Sequence, residues 1–277
     1  MSKIVKNMSI EEYHAHPAIS KSGLDLISKS PKHFKEREDI SDKTHLIIGQ
    51  AFHTLVLEPH DFDDRFLIWS GAPRNTKAGK EEYNLALEDA GERQLLKQSE
   101  MDDLKAMARS VREHPGAMKL LKAKGQAESS IFWTDPETGV ECRCRPDFLR
   151  DDGLIVDLKT SYDAHPDSFM KSAFSYRYDV QAAFYSEGVK HAGITPMGFA
   201  FIVVESKKPF CVSAHTASPD FTMLGEYRMR NNLETYAACL KRNEWPGYSN
   251  TINPVGLPAW GHKILNEGME KMEGISA

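Results

Sequence analysis

The stretch PDFLRDDGLIVDLKT spans residues 146–160 and carries two acids, Asp147 and Asp157, with nine residues between them and Lys159 two places beyond the second. Its end, Leu154–Thr160, is rich in branched apolar residues and is predicted to be a strand, where side chains alternate between faces. Leu154, Val156 and Leu158 then point one way, and Ile155, Asp157 and Lys159 the other. The run Arg150-Asp151-Asp152-Gly153 supplies a turn, so a short hairpin would bring Asp147 beside Asp157. Two close carboxylates repel unless a cation or a shared proton sits between them. Hard oxygen ligands of this kind suit Mg²⁺, with Mn²⁺ able to substitute, and the Lys159 ammonium adds a point charge for a phosphate or an attacking water. The competing reading is a surface turn with acids there by chance. Against it, a charged pair in an otherwise apolar strand is costly to keep without a task.

Outward from this stretch, the chain changes period several times. Residues 20–35 suggest a short helix capped at Ser20 or Ser22 and interrupted by Pro31. Thr44–Glu58 reads as a second helix closed by Pro59, with Ile48, Phe52, Leu55 and Val56 on its apolar face and His53 among them. A lone helical histidine is usually structural, and only the acids elsewhere make His53 a candidate ligand. Residues 70–80 read as a loop, followed by a charged helical region from about Glu81 to Glu113 in two pieces around Gly91 and Ser99. Ser129–Trp133 and Val140–Phe148 alternate as strands around the turn DPETG, Asp135–Gly139. Residues 166–191 read as one helix from Pro166, Met197–Glu205 and Pro209–His215 as a hairpin, and Pro219–Arg242 as a helix. After Trp245 the pattern is irregular. In that long middle helix Gln181 and Tyr185 are four apart and share a face; such a pair can contact a phosphate or sugar, or simply form a polar edge. The order of elements gives an α/β protein with a mixed central β-sheet flanked by helices. One domain over residues 1–277 is expected, helical over about 1–125 and sheet-based over about 126–245.

The bulk composition narrows the function classes. The formal charge of −5 and 40% hydrophobic residues describe an ordinary globular chain, not a globally basic nucleic-acid coat. No apolar run approaches the ~20 residues that span a bilayer, and the start MSKIVKNMSIEEY lacks a secretory signal, so a cytoplasmic protein is expected, with no membrane partner. Four cysteines, Cys142, Cys144, Cys211 and Cys239, suit buried thiols better than a disulfide framework or a metal–sulfur site.

Taken together, the segments GQAFHTLVLEP, RNTKAGKEEY, AESSIFWTDPETGVECRCRPD, IVDLKT, YRYDVQAAFYSEG and NEWP resemble the PD-(D/E)xK nuclease superfamily. The resemblance is to its RecB-like branch, and within that to the nuclease domains of RecE-type exodeoxyribonuclease VIII, from about Ser20 to Trp260. It implies the restriction-endonuclease-like fold and a set of roles. His53, Asp147, Asp157 and the carbonyl of Leu158 would be metal ligands, Lys159 the motif lysine, and Gln181 and Tyr185 residues near the substrate phosphates. The second acid is Asp157 where many members have Glu. Glu128, where relatives often carry an acid, would stand behind the ligands. Iron–sulfur members place a cysteine before Pro-x-x-Phe; here Ser30 precedes Pro31, so no cluster is expected.

The resemblance further implies Mg²⁺-dependent 5′-to-3′ digestion of linear double-stranded DNA from its ends, leaving 3′ single strands for recombination. It also implies a single-strand annealing protein as partner, a toroidal homo-oligomer (tetramer or trimer) and a bacterial or phage origin. Arg74, Lys77 and Lys80 are candidate backbone-phosphate contacts, or else a solvated loop. Two other readings stay open: a structure- or site-specific endonuclease on the same fold, and a DNA-binding module whose site has decayed.

Overall fold

Short helices lead the chain because the sequence keeps interrupting them. The computed structural model describes residues 3–6, 8–37 and 44–275; residues 38–43, within the expected helical part, lie outside the described residues. Strand β1 (Lys3–Val5) is followed by helices α1 (Ile10–Ala15), α2 (Lys21–Lys29), α3 (Pro31–Lys35) and α4 (Thr44–Leu57). Ser20 caps α2, accepting from the Gly23 N–H at 3.4 Å. Pro31 cannot continue that helix, so Ser30 does double service: its N–H closes α2 on Leu26 and its hydroxyl accepts from His33 to open α3.

Next come α5 (Phe62–Arg65), β2 (Phe66–Trp69), α6 (Lys77–Ala90), β3 (Gln94–Lys97), α7 (Gln98–Glu113) and α8 (Pro115–Leu121). The two-piece helical region is there, but β3 lies between the pieces and pairs in parallel with β2. Strands of four residues show too little periodicity to be read from sequence.

The middle of the chain supplies β4 (Gly125–Ala127), β5 (Ser130–Thr134), β6 (Glu141–Cys144), β7 (Phe148–Arg150) and β8 (Leu154–Ser161). Val140–Phe148, expected as one strand, is therefore two. Ile131 pairs with Cys144 and Ala127 with Phe148, so the register carries through the break without a slip. One long antiparallel hairpin is thus split across two sheets. Its tip is the expected Asp135–Gly139 turn, where the Asp135 carboxylate accepts from the Thr138 N–H at 3.0 Å and Gly139 takes φ +72°.

After β8 come α9 (Pro166–Ser175), α10 (Tyr178–His191), β9 (Gly198–Glu205), β10 (Val212–Thr216), α11 (Pro219–Arg242) and α12 (Ala259–Ile275). The single helix expected over 166–191 is broken at Arg177, whose φ of 56° is left-handed. The tail expected to be irregular contains α12. Contacts gather residues 1–245 into one compact unit and 246–277 into another.

The larger sheet has the order β10-β9-β8-β7-β4, with β8 and β9 parallel and the other neighbours antiparallel. A parallel pair needs a crossover, and α9 and α10 provide it. β1, β5 and β6 form the smaller sheet. The alternation expected along β8 holds. Ile155 joins the apolar cluster of Val180, Phe184 and Leu233, whereas Val156 and Leu158 join Phe52, Leu104 and Val111 on the opposite side. The architecture is the expected α/β one, a mixed central sheet with helical cover on both faces. Among the described residues no helix is long and apolar enough to cross a membrane.

Candidate active site

The break in the hairpin builds the acidic part of the site. The two strands leave one sheet for the other at the same level, and Pro146, with no N–H, cannot hold the ladder there. Glu128 takes φ +50° and its N–H donates to the Asp147 carbonyl at 3.0 Å, so the two acids face each other across the gap. Asp147 Oδ2 accepts from the Leu158 N–H at 2.7 Å, reaching the edge of β8 that β7 has vacated. In a strand the N–H and C=O of one residue project to the same edge, so the Leu158 carbonyl opens on this side too. His53 approaches from α4, with Nδ1 3.5 Å from Asp147 Oδ1 and 3.9 Å from Glu128 Oε1. Arg145 Nε donates to Glu128 Oε2 at 2.8 Å and holds that carboxylate from behind.

Asp157 belongs to a second group on the α10 face of β8. It is buried, and Gln181 Nε2 donates to its Oδ2 at 2.5 Å. Its Oδ1 meets Lys159 Nζ at 2.5 Å. The Lys159 ammonium lies 4.5 Å from the centre of the Tyr178 ring, and Lys21 shares that ring at 5.6 Å. Gln181 therefore orients an acid here and does not stand free to meet a phosphate. Tyr185, one turn further along α10, packs against Phe199 with centroids 6.2 Å apart, and burial pushes its phenol pKa well up.

The electrostatics record a crowd of negative charge. Burial, then the neighbouring Asp157, raises the Asp147 pKa to about 7 despite the pull of His53. Burial would lower the His53 pKa, but Asp147 and Glu128 outweigh it and raise it to about 9. Glu128 is held below its ordinary value: burial opposes this, and His53 and Arg145 prevail. For Lys159, burial is likewise overcome by Asp157 and Asp147, and the pKa rises.

One ligand atom each from His53, Glu128 and Asp147 lies within 4.8 Å of the others. A hard divalent ion bonded at ~2.1 Å spans ligand atoms up to ~4.2 Å apart, and the two histidine–carboxylate distances above fit that span. The two carboxylates suit such an ion, and the imidazole adds a nitrogen donor that a transition ion such as Mn²⁺ takes more readily than Mg²⁺. Glu128, expected behind the ligands, stands in the front of this group, while Asp157 sits beside it, engaged with Lys159 and Gln181. Arg74, Lys77 and Lys80 occupy the loop before α6 and its first turn, and their described interactions are local. Arg74 lies over Tyr83 at 4.7 Å, and Lys77 pairs with Glu81 at 3.9 Å. All four cysteines are free thiols. Arg145 and Tyr178 were not singled out from sequence, although both adjoin motif residues, in RCRPD and YRYDVQ.

A family model described as a PDDEXK-like domain of unknown function (DUF3799) matches residues 20–257. The chain belongs to this family. The PDDEXK-like chain is also similar in fold to a solved structure from Eubacterium rectale described as a "Putative exonuclease". The TM-score is 0.55 at 13% identity, covering 91% of this chain and 97% of that one. No curated protein matches the sequence. Membership and the likeness in fold agree on a PD-(D/E)xK nuclease-type fold; the assignment of Asp147, Asp157 and Lys159 to its acid–acid–lysine pattern and the narrower RecE-type likeness rest on the sequence motifs alone.

Proposed function

We propose that this protein is an Mg²⁺-dependent exonuclease that degrades linear double-stranded DNA from 5′ to 3′ and leaves 3′ single-stranded tails for recombination. One observation supports this reading above the rest. His53, Glu128 and Asp147 converge at the hairpin break, and the Asp157–Lys159 pair borders them on the next strand. In this reading His53, Glu128 and Asp147 hold the ion, with Asp157 and the Leu158 carbonyl completing its shell. When bound, the ion supplies charge neutralisation and acidifies a water.

The chain's own residues do the rest. Lys159, kept charged by Asp157, offers its ammonium to a phosphate oxygen or to the attacking water. Gln181 fixes one lone-pair direction of Asp157, leaving the carboxylate no freedom to rotate away from the site. Tyr185 closes the apolar wall behind Gln181 and excludes water there. Arg74, Lys77 and Lys80 would contact backbone phosphates away from the chemistry, consistent with sequence-independent binding. A toroidal trimer or tetramer, a single-strand annealing protein as partner and a cytoplasmic setting complete the proposal.

Linear and covalently closed duplex incubated with Mg²⁺ or Mn²⁺ test it, with the label at either the 5′ or the 3′ terminus. Loss of the linear form, with early release of the 5′ label, is expected. Equal attack on the closed circle would instead establish an endonuclease on the same fold.

A further inference from the structure

Lys159 is also one wall of a cavity of about 320 Å³ that opens beyond the acids. Tyr162, Tyr176 and Tyr178 line it together with Ser168 and Ser172. Its size is at the lower end of the ~300–1,000 Å³ range of ligand cavities, room for one nucleotide and too little for a base pair.

The aromatic groups in it are unevenly engaged. Tyr178 is fixed, stacked on Phe201 at 5.8 Å and carrying two lysine ammoniums. Tyr176 stacks on Tyr178 at 5.9 Å and 29° yet remains 64% exposed, so a face of its ring is open. Its backbone is pinned at both ends. The Tyr176 N–H donates to the Ser172 carbonyl at 2.8 Å, and its own carbonyl accepts from Lys21 Nζ at 2.7 Å. Tyr162 is 87% exposed at the rim. The one carboxylate of the lining, Asp163, is turned into its own loop, where it accepts from the Ser168 hydroxyl and, at 2.8 Å, from the His165 N–H. A rigid aromatic platform, a cation at one end and the Ser172 side chain along the side match the chemistry of a single nucleotide.

We propose that this cleft takes one unstacked nucleotide of the strand being cut, with its base against Tyr176 and its phosphate toward Lys159. The inference rests on the nuclease reading and deepens it, naming where the substrate strand lies. Every base has a π-face, so such a subsite holds a strand without reading its sequence.

Fluorescence anisotropy of single-stranded oligonucleotides, in EDTA to prevent cleavage, tests the cleft. One abasic position is moved stepwise along the strand. Tyr176→Ala should weaken binding of the intact strand roughly 5- to 150-fold, the equivalent of ~1–3 kcal/mol per stacked base, and Tyr176→Phe should retain wild-type affinity. At one abasic position the wild-type protein and Tyr176→Ala should bind alike, because the base that Tyr176 holds is missing. Unchanged binding by Tyr176→Ala overturns the proposal, and so does a loss that is the same at every abasic position. Cleavage of linear duplex by the wild-type protein with Mg²⁺ is scored separately. Its absence sinks the nuclease reading, whereas cleavage without the anisotropy pattern sinks the cleft alone.

Discussion

Asp157 and Asp147 carry the same charge but answer to different neighbours, and their variants should differ accordingly. Asp157→Ala removes an acid of the site and is expected to cut nuclease activity roughly 100-fold or more, on the scale of the several kcal/mol that ion chemistry supplies. Circular dichroism should show the fold retained. Repulsion between the two carboxylates would by itself make this change stabilising in the metal-free protein. The ion pair with Lys159 and the bond from Gln181 offset that gain at Asp157, and the unrelieved repulsion falls on Asp147. Asp147 has its pKa raised from 3.8 to about 7, so the folded state holds the proton more tightly than the unfolded chain. The sign follows: stability is lost as pH rises from about 4 to about 7. His53, raised from 6.5 to about 9, extends the loss over that higher window. The melting temperature in EDTA should therefore fall between pH 4 and pH 9, and Asp147→Asn should flatten the part below pH 7. A melting temperature that rises across the lower window would contradict this. Asp157 and Lys159 drew notice in the sequence because charged residues stand out in an apolar strand, Asp147 through its spacing from Asp157, and His53 only through the acids and the family resemblance. The front position of Glu128 was not, since it comes from a left-handed residue at a break that no local pattern announces.

At the scale of elements, α10 must lie close both to the strands beneath it and to α11. A Cβ on Gly225 of α11 would come within 2.0 Å of the Asp179 carbonyl oxygen, a backbone atom that cannot swing aside. Gly225→Ala should destabilise the protein by about 3 kcal/mol, the upper part of the overpacking range, measured by urea unfolding. A change below ~1 kcal/mol would show that the two helices can separate freely. Gln181→Leu removes the bond to the buried Asp157 carboxylate and should cost roughly 1.5–3 kcal/mol in the same assay. Most long elements were readable from sequence: α4, β8, β9 and α11 have apolar patterns sustained over eight or more residues. Those misread depend on tertiary context. The β2–β3 pair is too short to carry a period, the α9–α10 break is one residue with positive φ, and α12 lies in a stretch whose Pro and Gly residues masked the helical pattern beyond them.

For the whole molecule, every residue assigned to the site falls within 1–245, the unit that also holds both main apolar clusters. A chain ending at Trp245 is expected to unfold in one cooperative step and to keep the pH dependence described above. Loss of cooperative melting would show that residues 246–277 are required for folding. The unslipped hairpin has a wider consequence. Its two arms act as a ruler whose zero is the Asp135–Gly139 turn, and Glu128 and Asp147 are opposite marks on its scale. One residue added to a single arm would offset those marks by about 3.3 Å and turn one carboxylate to the opposite face of the strand, out of reach of a shared ion, with every original side chain still present. Insertions well away from the acids would then silence the protein by arithmetic and not by chemistry.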